Sequence, residues 1–390
     1  MPHTVKKSCT FNPLVHNYRA SQGVEKLTDL ISEQGDGEGF FQRNFVTKGM
    51  EQLFREGFLR LAGKSDDGVF LLQQAMGGGK THLMVALGLL AKHPNLRRSV
   101  LPDELAERVS DLGSVKVAAF NGRNDPENFL WGEIGDQLGI TAQMKKFWQD
   151  GPKRIGQQDW LDMLSGQPSL IMLDELPPYL LGAKTTSVGG GSLLDLTIYN
   201  LGNLMSAALE LPNVMVVITN LESAYGEETK AIASAIETLN NEAKRQARNI
   251  TPVELSGGEI YQIIKKRLID ELPSDDIISA VADAYAQEIK KAERSGFVRH
   301  ASLEQVTEQV KETYPFHPSF KHIVALFKEN PTFRQTRGLM QFAARMIKSV
   351  IERENDDVCL IGAQHLDMNI DVVSDEIRSI AKDLQPAITH

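Results

Sequence analysis

Short continuous apolar blocks recur along the chain at 69–72, 115–120, 170–174 and 214–219, each flanked by polar or glycine-bearing stretches. Blocks of this length, without alternation, read as strands buried on both faces of a parallel sheet. A fifth strand is predicted at 252–255. Between them, apolar residues fall at three- and four-residue spacing, which predicts helices at 50–61, 81–91, about 127–138, 193–211 and 232–248. Strand alternating with helix implies an α/β core whose parallel sheet is covered on both faces and joined by right-handed crossovers. After residue 257 the pattern is helical. Ile277, Ile278, Val281, Ala282 and Tyr285 share one face, as do Leu339, Phe342, Ala343, Met346, Ile347 and Val350. Residues 358–361 form a strand or a connector. The predicted organisation is an N-terminal arm and linker over 1–48, with one helix near 24–32, an α/β core over 49–256, and a helical unit over 257–390.

The first predicted strand runs into Gln-Gln-Ala-Met-Gly-Gly-Gly-Lys-Thr, residues 73–81, and then straight into a helix beginning at His82. Strand, glycine-rich loop and helix, in that order, form the setting in which backbone N–H groups curl around a phosphate. Glycine permits the positive φ and the close approach, and the helix directs its positive dipole end at the same anion. Met76, Gly77, Gly78, Gly79, Lys80, Thr81 and His82 are the candidate nucleotide-holding residues. Lys80 is placed to reach the β- and γ-phosphates, and the Thr81 hydroxyl to ligate Mg²⁺. Five residues ahead of Gly79, where the full pattern has another glycine, this chain has Gln74.

The block at 170–174 ends in Asp174 and Glu175. Ligands in open α/β sheets bind at the carboxyl ends of the strands. Asp174 is therefore the candidate holder of the Mg²⁺ shell, and Glu175 the candidate base for the attacking water. The strand 214–219 is expected beside it, with Asn220 the first choice, and Thr219 the second, for a polar group between Glu175 and the γ-phosphate. Arg245 and Arg248 are read as closing a helix. Arg248 there either projects into a neighbouring subunit's site or complements the helix dipole. Arg337, at the start of a helix where a positive charge opposes the dipole, is the candidate γ-phosphate sensor, with Arg334 behind it. The glycine-rich polar stretch 182–192 is expected to be a mobile linker or a substrate-contacting loop. Phe40, Phe41 and Phe45 either line an adenine pocket or staple the arm to the core. His317, between two prolines, reads as structural.

Composition narrows the function classes. The chain has 390 residues, enough for two or three domains, with 42 Lys+Arg against 51 Asp+Glu for a net charge of −9. That balance argues against an overall basic nucleic-acid binder, and the short basic groups around Lys145, Lys265 and Lys290 read as solvated helix faces. Cys9 and Cys359 are the two cysteines and have no metal-binding spacing, in keeping with a reducing cytoplasm. Residues 1–10 lack the apolar core of a signal peptide, and no apolar run is long enough to span a bilayer. No finishing element precedes His390, which suggests one region of a longer protein.

Phe-Phe-Gln-Arg-Asn-Phe-Val-Thr at 40–47, Gly-Gly-Gly-Lys-Thr-His at 77–82, Leu-Ile-Met-Leu-Asp-Glu at 170–175, Tyr-Pro-Phe-His-Pro at 314–318 and Phe-Arg-Gln-Thr-Arg-Gly at 333–338 together resemble one family. It is the AAA+-like P-loop ATPases of prokaryotic anti-phage defence islands, related to the large ATPases of BREX and Pgl systems, whose ATPase region is catalogued as a domain of unknown function. The resemblance spans about residues 40–350. It implies an AAA+-like P-loop ATPase core with an α-helical lid, ATP and Mg²⁺ as cofactors, hydrolysis, a homo-oligomer, and defence-system partner proteins working on foreign DNA, although no basic patch marks direct DNA contact; the cysteine usage and the lack of long apolar runs add the expectation of a cytoplasmic protein without a membrane.

Overall fold

A computed structural model describes residues 3–18, 27, 37–73, 79–219, 237, 241, 247–253, 258–295, 302–320 and 335–366, with the backbone alone for 335–337. Five strands make the central sheet: β1 (Val69–Leu72), β2 (Lys116–Asn121), β3 (Ser169–Asp174), β4 (Val214–Thr219) and β5 (Ala247–Ile250). All are parallel, in the order β2-β3-β4-β1-β5. Every residue of β1, β3 and β4 is buried, which is why these strands read as unbroken apolar blocks. Successive side chains serve opposite faces: Val69 and Leu71 join a cluster with Trp131, Trp160 and Leu204, whereas Phe70 and Leu72 join one with Phe54, Phe58 and Leu87. The helix Lys80–Lys92 is buried at every position from Leu83 to Ala91, so it lies inside the second layer rather than on it.

Arg60, from the helix Lys48–Leu61, is a buried guanidinium that donates to the carbonyls of Ala208 (2.5 Å), Leu211 (2.5 Å) and Val214 (3.0 Å). A buried charge is tolerated where its donors are matched by acceptors. Here those carbonyls belong to the end of the helix Leu193–Glu210 and the start of β4, so Arg60 helps to hold β4 between β1 and β3.

Four later helices, Glu259–Leu268, Asp275–Arg294, Leu303–Thr313 and Gln335–Glu352, enclose a third cluster containing Ile260, Ile264, Phe316, Phe320 and the full predicted stripe from Leu339 to Val350. Whereas Phe40 packs with the α/β core, the first part of the N-terminal arm, residues 3–18, belongs to this cluster. Val5, Cys9 and Val15 are buried in it, Thr10–Phe11 pairs antiparallel with Ile269–Glu271, and Val5 N donates to Val358 O at 2.8 Å. Sequence proximity hid this, because the partners lie some 260 and 350 residues away.

Two further expectations change. The fifth strand is Ala247–Ile250, not 252–255, so Arg248 lies within a strand and not at a helix end. The stretch 182–192 is built: the helix Leu176–Thr185 runs into it, and Ser187–Val188 pairs antiparallel with Gly191–Ser192 across a turn in which Gly189 takes φ +59°. Residues 358–361 are a connector with a single bridge from Ile361 to Phe316. Most of the predicted helix 232–248 and that near 24–32 lie outside the described residues.

Candidate functional site

Because the five strands are parallel, their carboxyl ends share one edge of the sheet. That edge gathers the start of the loop after β1, Asn121 at the end of β2, Asp174 at the end of β3 and Thr219 at the end of β4. The helix beginning at Lys80 opens there, capped by Gly79 at φ +88°.

Asp174 sits at the centre, with 1% of its surface exposed. The Thr81 hydroxyl donates to its Oδ2 at 2.5 Å, and the Glu175 N–H donates to its Oδ1 at 3.0 Å. The Thr219 hydroxyl also bonds the carboxylate, and its oxygen accepts from the Glu175 N–H at 3.2 Å. Burial pushes the Asp174 carboxyl above its ordinary value; the two threonine hydroxyls and Lys80 oppose that shift, while Glu175 adds to it. Lys80 is half-buried and its ammonium is pushed down by desolvation, against the pull of Asp174 and Glu175. The two motifs, 93 residues apart in sequence, thus meet in one direct bond.

Glu175 has a left-handed backbone, φ +48° and ψ +42°, and caps the helix Leu176–Thr185. For a residue with a side chain that region is sparsely populated and is held only by its surroundings. The surroundings here are tight. Gly122 N donates to Asp174 O at 2.8 Å, and a Cβ on Gly122 would stand 2.0 Å from Glu175 O. Asn121 Oδ1 accepts from Arg123 N at 2.9 Å, closing a turn that presents Arg123 to Glu175. The Arg123 guanidinium then pairs with the Glu175 carboxylate, Nε to Oε2, at 2.5 Å. Sequence reasoning missed Gly122 and Arg123. The available signal was an Asn-Gly pair directly after a predicted strand, followed by a base.

His82 is stacked on Phe40, ring centroids 4.7 Å apart at 29°. Burial, with the nearby Arg267 charge, pushes its imidazole down to about 3, so it is neutral. Phe40 itself is buried among Met50, Phe54 and Leu89, which matches the staple; Phe41 packs on the same cluster.

The structure brings Gly79, Lys80, Thr81, Asp174 and Glu175 together, with His82 behind them. Met76, Gly77, Gly78 and Asn220 lie outside the described residues. Arg337 lies in the first turn of the helix Gln335–Glu352, and its side chain is outside the description. Arg248 is not gathered to this edge in its own chain. It stands opposite Phe70 near the start of the strands and pairs with Glu56 at 2.6 Å and Asp67 at 3.3 Å. His317 bonds Tyr285 Oη at 2.5 Å and Ser319 Oγ at 2.6 Å, and its ring is pushed down by burial.

A hydroxyl and a carboxylate oxygen side by side are hard donors of the kind Mg²⁺ takes through one or two protein groups, with the rest of its shell from water and phosphate. Among the described residues no cluster of three or more His, Cys, Asp or Glu side chains could hold a metal alone. The Thr81 hydroxyl and the Asp174 carboxylate match that partial donor set. No described helix is long and apolar enough to cross a membrane.

Residues 30–250 match the family model for the DUF499 N-terminal domain, and residues 256–384 match that for the DUF499 second domain. The chain belongs to the DUF499 family. No curated protein matches it.

Proposed function

We propose that this protein binds ATP with Mg²⁺ at the edge of its parallel sheet and hydrolyses it, as an AAA+-like P-loop ATPase whose helical unit acts as a lid. The observation that carries the reading is the 2.5 Å bond between Thr81 and the buried Asp174, directly beside Lys80 and Glu175. A buried carboxylate bracketed by two hydroxyls next to a desolvated ammonium is an expensive arrangement for a structural corner, and an economical one for a metal–phosphate site.

In this reading the loop and Lys80 hold the β- and γ-phosphates, and Gly79 lets the backbone turn toward them. Bound Mg²⁺ supplies neutralisation of charge on the phosphate oxygens. Thr81 and Asp174 orient that end of the nucleotide. Glu175 accepts the proton of the attacking water as its oxygen bonds the γ-phosphorus and ADP departs. Thr219, bonded to the Asp174 carboxylate and to the Glu175 backbone N–H, keeps their geometry, and Asn220 and Arg337 supply polar contacts to the γ-phosphate. Positioning and charge stabilisation are most of what phosphoryl transfer requires. Arg248 is the candidate group acting across a subunit boundary in a homo-oligomer. The motif resemblance extends the proposal to an energy-supplying or gating subunit that works with defence-system proteins on DNA.

The Arg123–Glu175 pair favours a second reading, in which ATP locks the helical unit against the core as a slow switch that recruits a partner. Phosphate release measured against protein concentration, wild type beside Glu175→Gln, with and without duplex DNA, separates the two. Release that rises with concentration and is lost in the variant supports the oligomeric ATPase. Nucleotide binding with flat, negligible release supports the switch. No nucleotide binding at all overturns both.

A further inference from the structure

We infer that Arg267 and Asn44 are positioning residues that tie the second domain to the helix that opens at Lys80, so that the placement of the helix Glu259–Leu268 sets the affinity of the nucleotide site. The inference rests on the proposed ATP site.

The connection is continuous. Arg267 Nε and Nη2 both donate to Asn44 Oδ1, at 2.9 and 2.6 Å. Asn44 is buried, and its Nδ2 donates to Phe40 O at 2.8 Å, so both ends of the amide are committed. The Phe40 ring lies flat against the His82 ring, and His82 is the second residue after Lys80 in the same helical turn. A second anchor runs in parallel. The buried Glu259, at the start of the Arg267 helix, accepts from Lys48 N at 2.6 Å, and Thr47 Oγ1 donates to Pro252 O at 2.6 Å. The short segment 40–48 is thus held by the second domain through Asn44 and Lys48, and by Pro252 between the two domains through Thr47, while Phe40 packs on the helix that opens at Lys80. A guanidinium forked onto one amide oxygen is directional, so moving the Glu259–Leu268 helix must either drag Asn44 or break both bonds. Neither residue is in the set that would touch nucleotide, which makes their effect indirect.

Proof of coupling requires energies rather than proximity. The test measures ATP affinity, with Mg²⁺, for wild type, Arg267→Ala, Asn44→Ala and the double variant, beside the melting temperature of each without nucleotide. Each single variant is expected to weaken ATP binding at least about 5-fold, the lower end of the usual range for coupled sites. The double variant is expected to be no weaker than the worse single one, because both break one connection. A purely structural role would lower melting temperature and leave the affinity of the folded protein unchanged. That result, or effects that simply multiply in the double variant, overturns the inference while leaving the ATP site standing. Wild-type protein that binds no ATP overturns the site and the inference together.

Should the alanine variants not fold, hydrogen exchange on wild-type protein decides the matter, since coupling is reciprocal. ATP is expected to slow exchange in the helix Glu259–Leu268 in wild type and not in Lys80→Ala. Unchanged exchange in that helix at saturating ATP overturns the inference.

Discussion

Arg123 holds Glu175: the guanidinium Nε lies 2.5 Å from Oε2, with the two side chains 59% and 37% exposed. The group proposed to take a proton from water is therefore already engaged by a cation from the neighbouring strand end. Exposed pairs of this kind contribute about 0–1 kcal/mol, so opening it raises the available base by at most about 5-fold. Arg123→Ala is expected to raise basal phosphate release within that factor at unchanged ATP affinity. A fall in release would assign Arg123 to the bound phosphates instead.

Lys80→Ala and Glu175→Gln should separate binding from turnover. Lys80→Ala is expected to lose nucleotide affinity. Glu175→Gln keeps the shape and the helix cap, so affinity should stay while release falls by about 10²–10⁴-fold, the usual worth of a general base. Calorimetric titration with ATP and a phosphate-release assay read the two effects.

Asp174 gives a prediction whose sign runs against intuition. Burial raises its folded-state carboxyl above the ordinary value. Between those two values the folded protein binds more protons than the unfolded chain. Its stability without metal and nucleotide therefore falls as pH rises through that window, and stays reduced above it. Asp174→Asn should raise the melting temperature of the nucleotide-free protein at neutral pH by about 2–4 °C for each kcal/mol of penalty removed, while abolishing Mg²⁺-dependent turnover. Thermal scans at pH 4 and pH 7.5 check it, since the gain should shrink at the lower pH.

Gly122→Ala should damage the site without touching a reacting group. A Cβ there would stand 2.0 Å from Glu175 O, and the obstacle is backbone. Separating the ends of β2 and β3 is expected to cost about 1–3 kcal/mol and to cut turnover more than ATP affinity. Denaturant unfolding and steady-state kinetics on the same preparation measure the two.

Arg248 has a test of its own. Its partner Asp67 is exposed but Glu56 is only 15% exposed, so Arg248→Ala should lower stability by about 1–3 kcal/mol, the cost of leaving a part-buried carboxylate without its cation. If it serves a neighbouring subunit, release should drop far beyond that, by about 10³-fold or more, and mixing with Lys80→Ala protein should restore part of it.

The sheet was legible because its signals are local. Val69–Leu72 and Val214–Thr219 are buried on both faces, so no polar residue interrupts them, and β2 and β3 differ from expectation by a residue at their ends. Lys80, Thr81, Asp174 and Glu175 were legible for a related reason: Asp174 ends a strand and Glu175 follows it, Lys80 and Thr81 open the helix after the loop that leaves another strand, and parallel strands bring their ends to one edge. The fifth strand was misplaced because Ala247–Ile250 carries Arg248 and Asn249 on an edge, where polar residues are tolerated and the apolar pattern fades. The hairpin at 187–192 was hidden by its glycines, which suit a tight turn as well as a linker.

The sequence by itself determined the strand-and-helix order, the glycine-rich loop ahead of Lys80 and the acid pair at a strand end, all patterns set by neighbours a few residues apart. The tertiary structure decided that Arg123 engages Glu175, that Gly122 must be bare, that the arm at Val5–Phe11 packs with the second domain, and that Arg267 reaches Asn44. Each of these joins groups separated by 50 to more than 300 residues. Such pairings are selected by which surfaces the folded core leaves facing one another, and no local periodicity records that choice.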